Sequence, residues 1–313
     1  MATSHSKNRT TVRALPVGLR AARLGIRVLT PHAPELASLV AEELFLTAQR
    51  HKRPSWEVDA LSSARAFRVP YDDGFLPAWS WGAGTDVALL VHGWEGRGSQ
   101  LARFAEPLLR ERFRVVAFDA PGHGDTRSRR GSVVDHARAV DAVARYVGRV
   151  DVVIGHSVGA AASLLATRFG FEPRRFVLIS PPIGPARFAA GFVQMLELSK
   201  GIESGMVGRL QRRYGMALDE LDACADASKV LAPVLVVHDK GDKVVPEGDG
   251  EAIARSAPQG RLMATAGLGH YRILKDPTVL EEAVRFATEG RTAAYGSFAA
   301  TLDGELFFRE NRR

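Results

Sequence analysis

The chain has 313 residues, of which 46% are hydrophobic and 25% charged, and this composition excludes a disordered, collagen-like or coiled-coil protein. No apolar run reaches the ~18 residues that a membrane-spanning helix needs. The single cysteine, Cys224, excludes an intrachain disulfide and a cysteine-cluster zinc site, and it indicates a reducing, cytoplasmic location. The net charge of +7 is distributed along the chain rather than gathered in one stripe, which disfavours nucleic acid as a partner.

Two amphipathic helices are predicted in an N-terminal extension that spans residues 1–60. The first covers 15–29, with an apolar face opposite three arginines: Leu15, Leu19, Ala22, Ile26 and Leu29 against Arg20, Arg23 and Arg27. The second covers 35–50, with the apolar face Leu36, Leu39, Val40 and Leu44. The dipeptide Arg53-Pro54 marks the boundary that follows.

The basic face of the first helix leaves three alternatives open. Such a helix can lie on an anionic membrane, and a start without acidic residues before Glu35 also resembles an organellar transit peptide. Two consecutive amphipathic helices bury more apolar area by packing on the core, or on each other over a lid. Packing is therefore the interpretation that we favour over membrane association.

Residues 61–290 alternate short apolar runs with amphipathic segments, the pattern of an α/β fold. Strands are predicted at 64–69, 76–81, 86–91, 113–118, 150–155, 174–180, 233–238 and 260–265, and helices at 98–111, 133–147, 157–169, 246–257 and 276–287. The inner runs are apolar throughout, which is typical of parallel strands buried on both faces. The pattern predicts a mostly parallel eight-stranded sheet with helices on both faces, a helical lid inserted at 183–229 and a tail at 291–313.

The pentapeptide Gly155-His156-Ser157-Val158-Gly159 is the strongest catalytic signal. It follows a predicted buried strand and opens an alanine-rich helix, the setting of a nucleophile elbow. In such an elbow the serine lies on a strained turn, and small flanking residues let the strand and the helix approach closely. The alternative is a glycine-rich turn with an incidental serine.

The segment His92-Gly93-Trp94 ends another predicted strand. Acyl transfer needs two backbone N–H groups directed at the developing oxyanion. We expect one from Val158, the residue after the serine, and one from Trp94, with His92 and Gly93 shaping the turn. A plain strand-to-helix loop is the alternative.

A carboxylate and a histidine follow the last two predicted strands. Asp239, Asp242 and Asp249 compete for the acid, and we favour Asp242 because Asp239 lies at the strand end, where it can brace the loop. His270 comes after both the serine and the acid, at the end of the last strand. The other motif histidines are interpreted as structural: His92, His123, His156 and His238.

The order Ser157, Asp242, His270 and the loop at residues 119–125, AspAlaProGlyHisGlyAsp, resemble the α/β-hydrolase fold superfamily, within it the serine hydrolases of the lipase, esterase and serine-aminopeptidase-like group. The resemblance covers residues 64–290. It implies Ser157 as nucleophile, Asp242 as acid, His270 as base and a covalent acyl-enzyme, with no metal or organic cofactor. A serine nucleophile argues against the dehalogenases and epoxide hydrolases of this fold, which use an aspartate.

The expected activity is hydrolysis of a small-molecule carboxylic ester, with thioester and amide left open. A cofactor-free lyase or peroxidase using the same triad, and a non-catalytic binding protein on a hydrolase scaffold, are the alternatives. Apolar residues of the lid favour an apolar acyl or alkyl group, or simply pack the lid onto the body: Phe188, Phe192, Met195 and Leu196.

Overall fold

In the computed structural model, which describes residues 17–291, eight strands form a single sheet. The strands are β1 (Arg65–Tyr71), β2 (Gly74–Trp81), β3 (Asp86–Val91), β4 (Phe113–Phe118), β5 (Val152–His156), β6 (Phe176–Ile179), β7 (Val234–Asp239) and β8 (Gly260–Thr265). Their order across the sheet is β1-β2-β4-β3-β5-β6-β7-β8. β2 is antiparallel to both its neighbours and all other pairs are parallel, which confirms the predicted mostly parallel sheet.

Helices cover both faces of this sheet, as predicted. They are α1 (Val17–Leu29), α2 (Pro34–Leu46), α3 (Ser55–Ser62), α4 (Ala105–Arg110), α5 (Val133–Val147), α6 (Val158–Leu165), α7 (Ala186–Leu196), α8 (Lys200–Tyr214), α9 (Ala223–Ala227), α10 (Glu247–Ser256), α11 (Gly269–Arg272) and α12 (Pro277–Thr288). The buried residues of α5, α6, α9 and α10 pack on one face, and those of α4 and α12 on the other. None of the helices within residues 17–291 is long and apolar enough to cross a bilayer.

Several predicted boundaries need correction. The helix predicted at 98–111 is a 3-10 helix at Gly98–Phe104 followed by α4, because Pro107 has no N–H for a longer α-helix. The helix predicted at 35–50 ends at Leu46, where Thr47 becomes extended. α3 follows Pro54 directly, where only a boundary was predicted.

The N-terminal helices pack on the insertion rather than on the sheet. Ile26 of α1 is buried in a cluster with residues of α2, α7 and α8, and Leu19 and Leu29 pack against it, which confirms the predicted face of α1. The predicted Leu15 of that face, and the tail at 292–313, lie outside the described residues.

The predicted apolar face of α2 was partly right, since Val40 and Leu44 pack partly buried against the same cluster as Ile26. Leu36, however, is exposed, and the fully buried residues are Ala37, Ser38, Ala41, Glu42 and Leu46. The reason is close contact with α8: a Cβ on Gly205 of α8 would overlap the Ser38 hydroxyl. Small and polar side chains, rather than large apolar ones, therefore form this interface.

Candidate active site

Ser157 lies in a sharp turn between β5 and α6, at the carboxyl edge of the sheet. Its backbone has φ 53° and ψ −125°, in the positive-φ region that a non-glycine residue adopts only under constraint. The constraint is close packing of the flanking strand and helix. A Cβ on Gly155 would stand 2.6 Å from the Ala160 Cα, and one on Gly159 would overlap the His92 carbonyl oxygen. Both glycines of the pentapeptide are therefore required for this turn.

The loop after β3 passes directly against Ser157. Gly93 is a point of close approach, since a Cβ there would lie 2.9 Å from the Ser157 Cβ. Trp94 follows, and it lines the same cavity as Ser157 and Val158. Among the described residues, the backbone N–H groups of Trp94 and Val158 donate to no other group. Both donors are thus available to an oxygen atom bound beside Ser157.

His92 supports this loop from the protein interior. Its Nε2 accepts the backbone N–H of Ala120 at 3.0 Å, so its Nδ1 carries the proton and donates to the Gly93 carbonyl at 2.8 Å. Burial lowers the pKa of His92 to about 3. The ring is therefore neutral around pH 7, and both hydrogen bonds fix the position of Gly93.

Asp242 and His270 are hydrogen-bonded in the loops that follow β7 and β8. Asp242 Oδ2 accepts from His270 Nδ1 at 2.7 Å, and Oδ1 accepts from the backbone N–H groups of Val244 and Val245 at 2.8 and 2.9 Å. Burial alone would raise the pKa of Asp242, but the hydrogen bonds from His270 and these N–H groups outweigh it and lower the pKa to about 2. A carboxylate only accepts, so Nδ1 of His270 carries the proton and Nε2 has the free lone pair.

Ser157 and His270 line the same cavity without a direct hydrogen bond. Within residues 17–291, the hydrogen bond of the His270 ring goes to Asp242, and the Ser157 Oγ is not hydrogen-bonded to this ring. His156 links the two loops instead: its Nε2–H donates to the His270 carbonyl at 2.9 Å. Burial lowers the pKa of His156 to about 3, so this donor is neutral and the link does not depend on its protonation near pH 7.

The two rival carboxylates have other partners. Asp239 braces the loop of Asp242 against the loop of His270, accepting hydrogen bonds from the Thr265 hydroxyl and the backbone N–H groups of Gly241 and Leu268. Asp249 forms a two-pronged ion pair with Arg187, at 2.8 and 2.9 Å, at the start of the insertion. Of these three carboxylates, Asp242 is the one that contacts His270.

A cavity of about 580 Å³ extends from Ser157 and His270 under the helices of the insertion. Phe188, Phe192 and Met195 line it, whereas Leu196 lies in the buried cluster between the helices. A second wall was not predicted from the sequence: the N-terminal helices contribute Leu19, Leu44, Phe45 and Leu46. The helical period indicated that Leu19 and Leu44 are buried, but not which cavity they meet.

Buried histidines also gather behind Trp94. His123 packs edge-on against the Trp94 ring, with ring centroids 4.8 Å apart, and it contacts both His92 and His136. His136, on α5, was not among the predicted structural histidines. Within the described residues, no three His, Cys, Asp or Glu side chains are arranged to hold a metal ion.

The model of the Alpha/beta hydrolase family matches residues 88–283, which include the serine turn, the Trp94 loop and both loops of the Asp242–His270 pair. The chain belongs to this family. The match spans the sheet from β3 to β8, so it confirms the superfamily and the fold class that the sequence motifs predicted.

Two relatives in sequence are named as esterases, one of them also as a perhydrolase. The chain is 28% identical to the bifunctional esterase/perhydrolase DCH of Acinetobacter calcoaceticus, over 59% of this chain and 84% of the relative. It is 27% identical to the pimeloyl-[acyl-carrier protein] methyl ester esterase of Aromatoleum aromaticum, over 63% and 97% of the two chains. Esterase Pf2001 of Pyrococcus furiosus has the same fold, with a TM-score of 0.59 at 19% identity, over 77% of this chain and 98% of that one.

Proposed function

We propose that the protein is a serine esterase that cleaves small carboxylic esters through Ser157, His270 and Asp242. The observation that carries this proposal is the strained turn at Ser157, which directs a serine into a cavity shared with a histidine whose Nδ1 is held by a buried carboxylate. Incidental serines have no need of this backbone strain. The esterase relatives support the same reaction class.

The catalytic steps follow from the protonation states. His270 Nε2 takes the proton of the Ser157 hydroxyl as Oγ attacks the ester carbonyl. The backbone N–H groups of Trp94 and Val158 stabilise the oxyanion, and Asp242 stabilises the imidazolium. His270 then protonates the leaving alcohol, which departs and leaves an acyl-enzyme. Water, deprotonated by His270, attacks the acyl group and regenerates Ser157.

The acyl or alkyl group of the substrate is proposed to be apolar, because the cavity beside Ser157 is lined by phenylalanine, leucine and methionine side chains. The helices of the insertion are proposed to act as its lid.

The N-terminal helices are proposed to pack on the protein rather than bind a membrane. Packing of α1 on α2 and α7 supports this, since Ile26 is buried there and Leu19 and Leu29 pack against the same cluster.

Perhydrolysis is a second candidate, because one relative is an esterase/perhydrolase. Here hydrogen peroxide replaces water as the attacking nucleophile. It gives up a proton to His270, bonds to the acyl carbon and releases Ser157 together with a peracid. The same acyl-enzyme precedes both reactions.

The proposal is tested by labelling with a fluorophosphonate and by a panel of p-nitrophenyl esters, thioesters and anilides. We expect phosphonylation of Ser157, located by peptide mass spectrometry, and ester turnover that falls by about 10³–10⁶-fold in Ser157→Ala. Ser228→Ala, at an exposed serine, is the control and should behave as wild type. Ester turnover that survives in Ser157→Ala would refute the proposal, and peracid formation with added peroxide would establish the second activity.

A further inference from the structure

The N-terminal helices and the insertion share one hydrophobic cluster, separate from the two clusters on the faces of the sheet. Its buried members come from α1, α2, α7 and α8 together, and are Ile26, Ala37, Ala41, Leu46, Leu196, Ile202, Met206 and Leu210. Neither pair of helices could be removed without exposing the apolar side of the other. The four helices thus form one unit over the cavity, which we call the two-part cap.

An ion-pair cluster holds the two parts together. Glu42 of α2 is only 1% exposed and accepts from Arg209 Nε at 2.5 Å and Arg213 Nε at 2.8 Å, both on α8. Burial alone would raise the pKa of Glu42, but the hydrogen bonds from Arg213 and Arg209 outweigh it and hold the pKa below its ordinary value. Arg23 of α1 pairs with Glu197, just after α7, at 2.6 Å.

The C-terminal end of α2 is also fixed to the sheet domain. The Leu46 carbonyl accepts the backbone N–H of Gly131 at 2.9 Å, and Glu43 pairs with Arg130 at 2.6 Å. The last turn of α2 is therefore tied both to the insertion, through Glu42, and to the body beside the cavity. A helix held in this way forms a rigid wall.

Leu44, Phe45 and Leu46 of this wall line the cavity, and Leu46 is also a buried member of the cluster between the helices. Phe45 meets Phe192 of α7 edge to face, with ring centroids 5.3 Å apart, so the two parts of the cap touch inside the substrate cavity itself. The family match begins at residue 88, well after α2. This wall therefore lies outside the segment that the family model matches.

We propose that Leu44 and Phe45 of the N-terminal helix α2 select the substrate, by setting the length of the apolar acyl or alkyl group that fits beside Ser157. The inference rests on the proposed esterase function and adds to it the element that determines specificity. An apolar chain gains about fourfold in transition-state binding for each methylene group that it buries. A side chain of the wall that blocks the far end of the apolar pocket removes this gain for substrates whose acyl or alkyl group is longer than the pocket.

The test compares Leu44→Ala, which shortens the wall by three carbon atoms, with Leu44→Phe, which extends it. Leu36→Ala is the matched control: it is the same change on the same helix, at an exposed leucine outside the cavity. The substrates are p-nitrophenyl esters from acetate to dodecanoate, and acetate esters of alcohols of the same lengths. Thermal unfolding of each variant accompanies the kinetics.

We expect Leu44→Ala to move the best kcat/KM to chains two or three carbons longer, and Leu44→Phe to move it to shorter ones, in one of the two series. Relative to wild type, the ratio of kcat/KM for long against short esters should change by at least tenfold in opposite directions. Profiles that remain parallel to wild type and Leu36→Ala in both series would overturn the inference. If one variant does not fold, the other and Phe45→Leu decide the question.

Failure of the proposed function would look different. A wild-type protein that neither hydrolyses any ester nor reacts with a fluorophosphonate at Ser157 removes the esterase proposal itself. An active wild type with an unmoved chain-length profile in the Leu44 variants removes only the inference on α2.

Discussion

Replacing Asp242 by asparagine should remove most of the activity without unfolding the protein, because the surrounding donors dictate how the new amide lies. Asp242 Oδ1 accepts two backbone N–H groups, from Val244 and Val245. The amide oxygen must take this position, since an NH₂ group there would face two donors. The NH₂ group is then directed at His270 Nδ1.

This orientation forces the wrong tautomer on His270. Nδ1 must accept from the amide and so loses its proton, which moves to Nε2. A protonated Nε2 has no lone pair for the proton of Ser157. In a Ser-His-Asp triad this effect lowers kcat by about 10⁴-fold, equivalent to about 5.5 kcal/mol of transition-state stabilisation.

Asp239→Asn provides the matched control. Both oxygens of Asp239 accept backbone N–H groups, Oδ1 from Gly241 and Oδ2 from Leu268. Either orientation of an amide there places NH₂ against a donor, at a cost of about 1–3 kcal/mol in stability. Because Asp239 does not touch the His270 ring, its kcat should stay within about tenfold of wild type.

The assay measures kcat for the best ester and the free energy of unfolding in urea for both variants. Asp242→Asn should lose turnover with a smaller change in stability than Asp239→Asn. If Asp242→Asn keeps more than a tenth of wild-type kcat, the tautomer argument fails. If Asp239→Asn instead loses about 10⁴-fold at normal stability, the acid has been assigned to the wrong residue.

Three further predictions concern packing and charge. Gly159→Ala should lower the free energy of unfolding in urea by about 1–3 kcal/mol, because the new Cβ would overlap the carbonyl oxygens of Val91 and His92. The control is Gly201→Ala in α8, where a Cβ has open space, and it should be neutral or stabilising. Equal effects of the two substitutions would contradict the close approach at the serine turn. Glu42→Gln should lower the free energy of unfolding by about 2 kcal/mol, which is less than for a fully buried pair because both of its arginines are partly exposed. Glu43→Gln, which breaks a more exposed pair on the same helix, should change it little. Similar losses in both variants would show that the Glu42 pairs contribute no more stability than the Glu43 pair. The pKa of Asp239 is about 2 in the folded protein, because its hydrogen bonds outweigh the effect of burial, and ~3.9 in the unfolded chain. The stability that this carboxylate contributes is therefore complete above pH ~4 and is lost as the pH falls towards 2. Asp239→Asn should flatten the plot of the urea midpoint against pH between these values, and an unchanged slope there would refute the prediction.

The sheet was predictable because its strands carry strong local signals. All eight predicted strands exist, since buried parallel strands such as β3 and β7 need continuous apolar runs that no amphipathic helix imitates. Boundaries were less accurate. The 3-10 helix before α4 depends on Pro107 together with the packing of Gly98 against β4, and the second of these is a tertiary contact.

The candidate site was partly predictable for a topological reason. Ser157, Asp242 and His270 each follow a strand at its carboxyl end, and parallel strands bring those ends to one edge. The sequence favoured Asp242 over Asp239 as the partner of His270, and in the structure Asp242 accepts the hydrogen bond of the His270 ring. Both acids lie within one short loop, and the sequence does not show how each of them is held. Which backbone donors each carboxylate meets depends on where that loop turns.

The buried face of α2 was only partly predictable from hydrophobicity. A helix that packs closely on another is selected for small side chains at the contact, so Ala37, Ser38 and Ala41 are buried while Leu36 is exposed. Periodicity of large apolar residues therefore locates only part of the buried face, at Val40 and Leu44. Glu42 adds to the difficulty, because a carboxylate is normally predicted to face solvent. Its burial depends on ion pairs with Arg209 and Arg213, which lie 167 and 171 residues away in the sequence.

Long-range ion pairs also give many of the arginines a structural role. Glu57 of α3 is buried and accepts from both ends of the Arg97 guanidinium, at 2.5 and 2.7 Å, just beyond the Trp94 loop. Arg53 reaches the buried Asp119 at 3.2 Å in the same region.

A guanidinium matches a carboxylate in a fixed, two-pronged geometry that a lysine ammonium does not provide, so these pairs specify position as well as attraction. The N-terminal segment is thereby held to the loop that carries one proposed oxyanion donor, and through Glu42 to the helices above the cavity. Arginines used in this way must be distributed wherever two elements meet. Arginines distributed along the whole chain are the expected consequence, whereas a surface that binds a polyanion would require unpaired arginines in one patch.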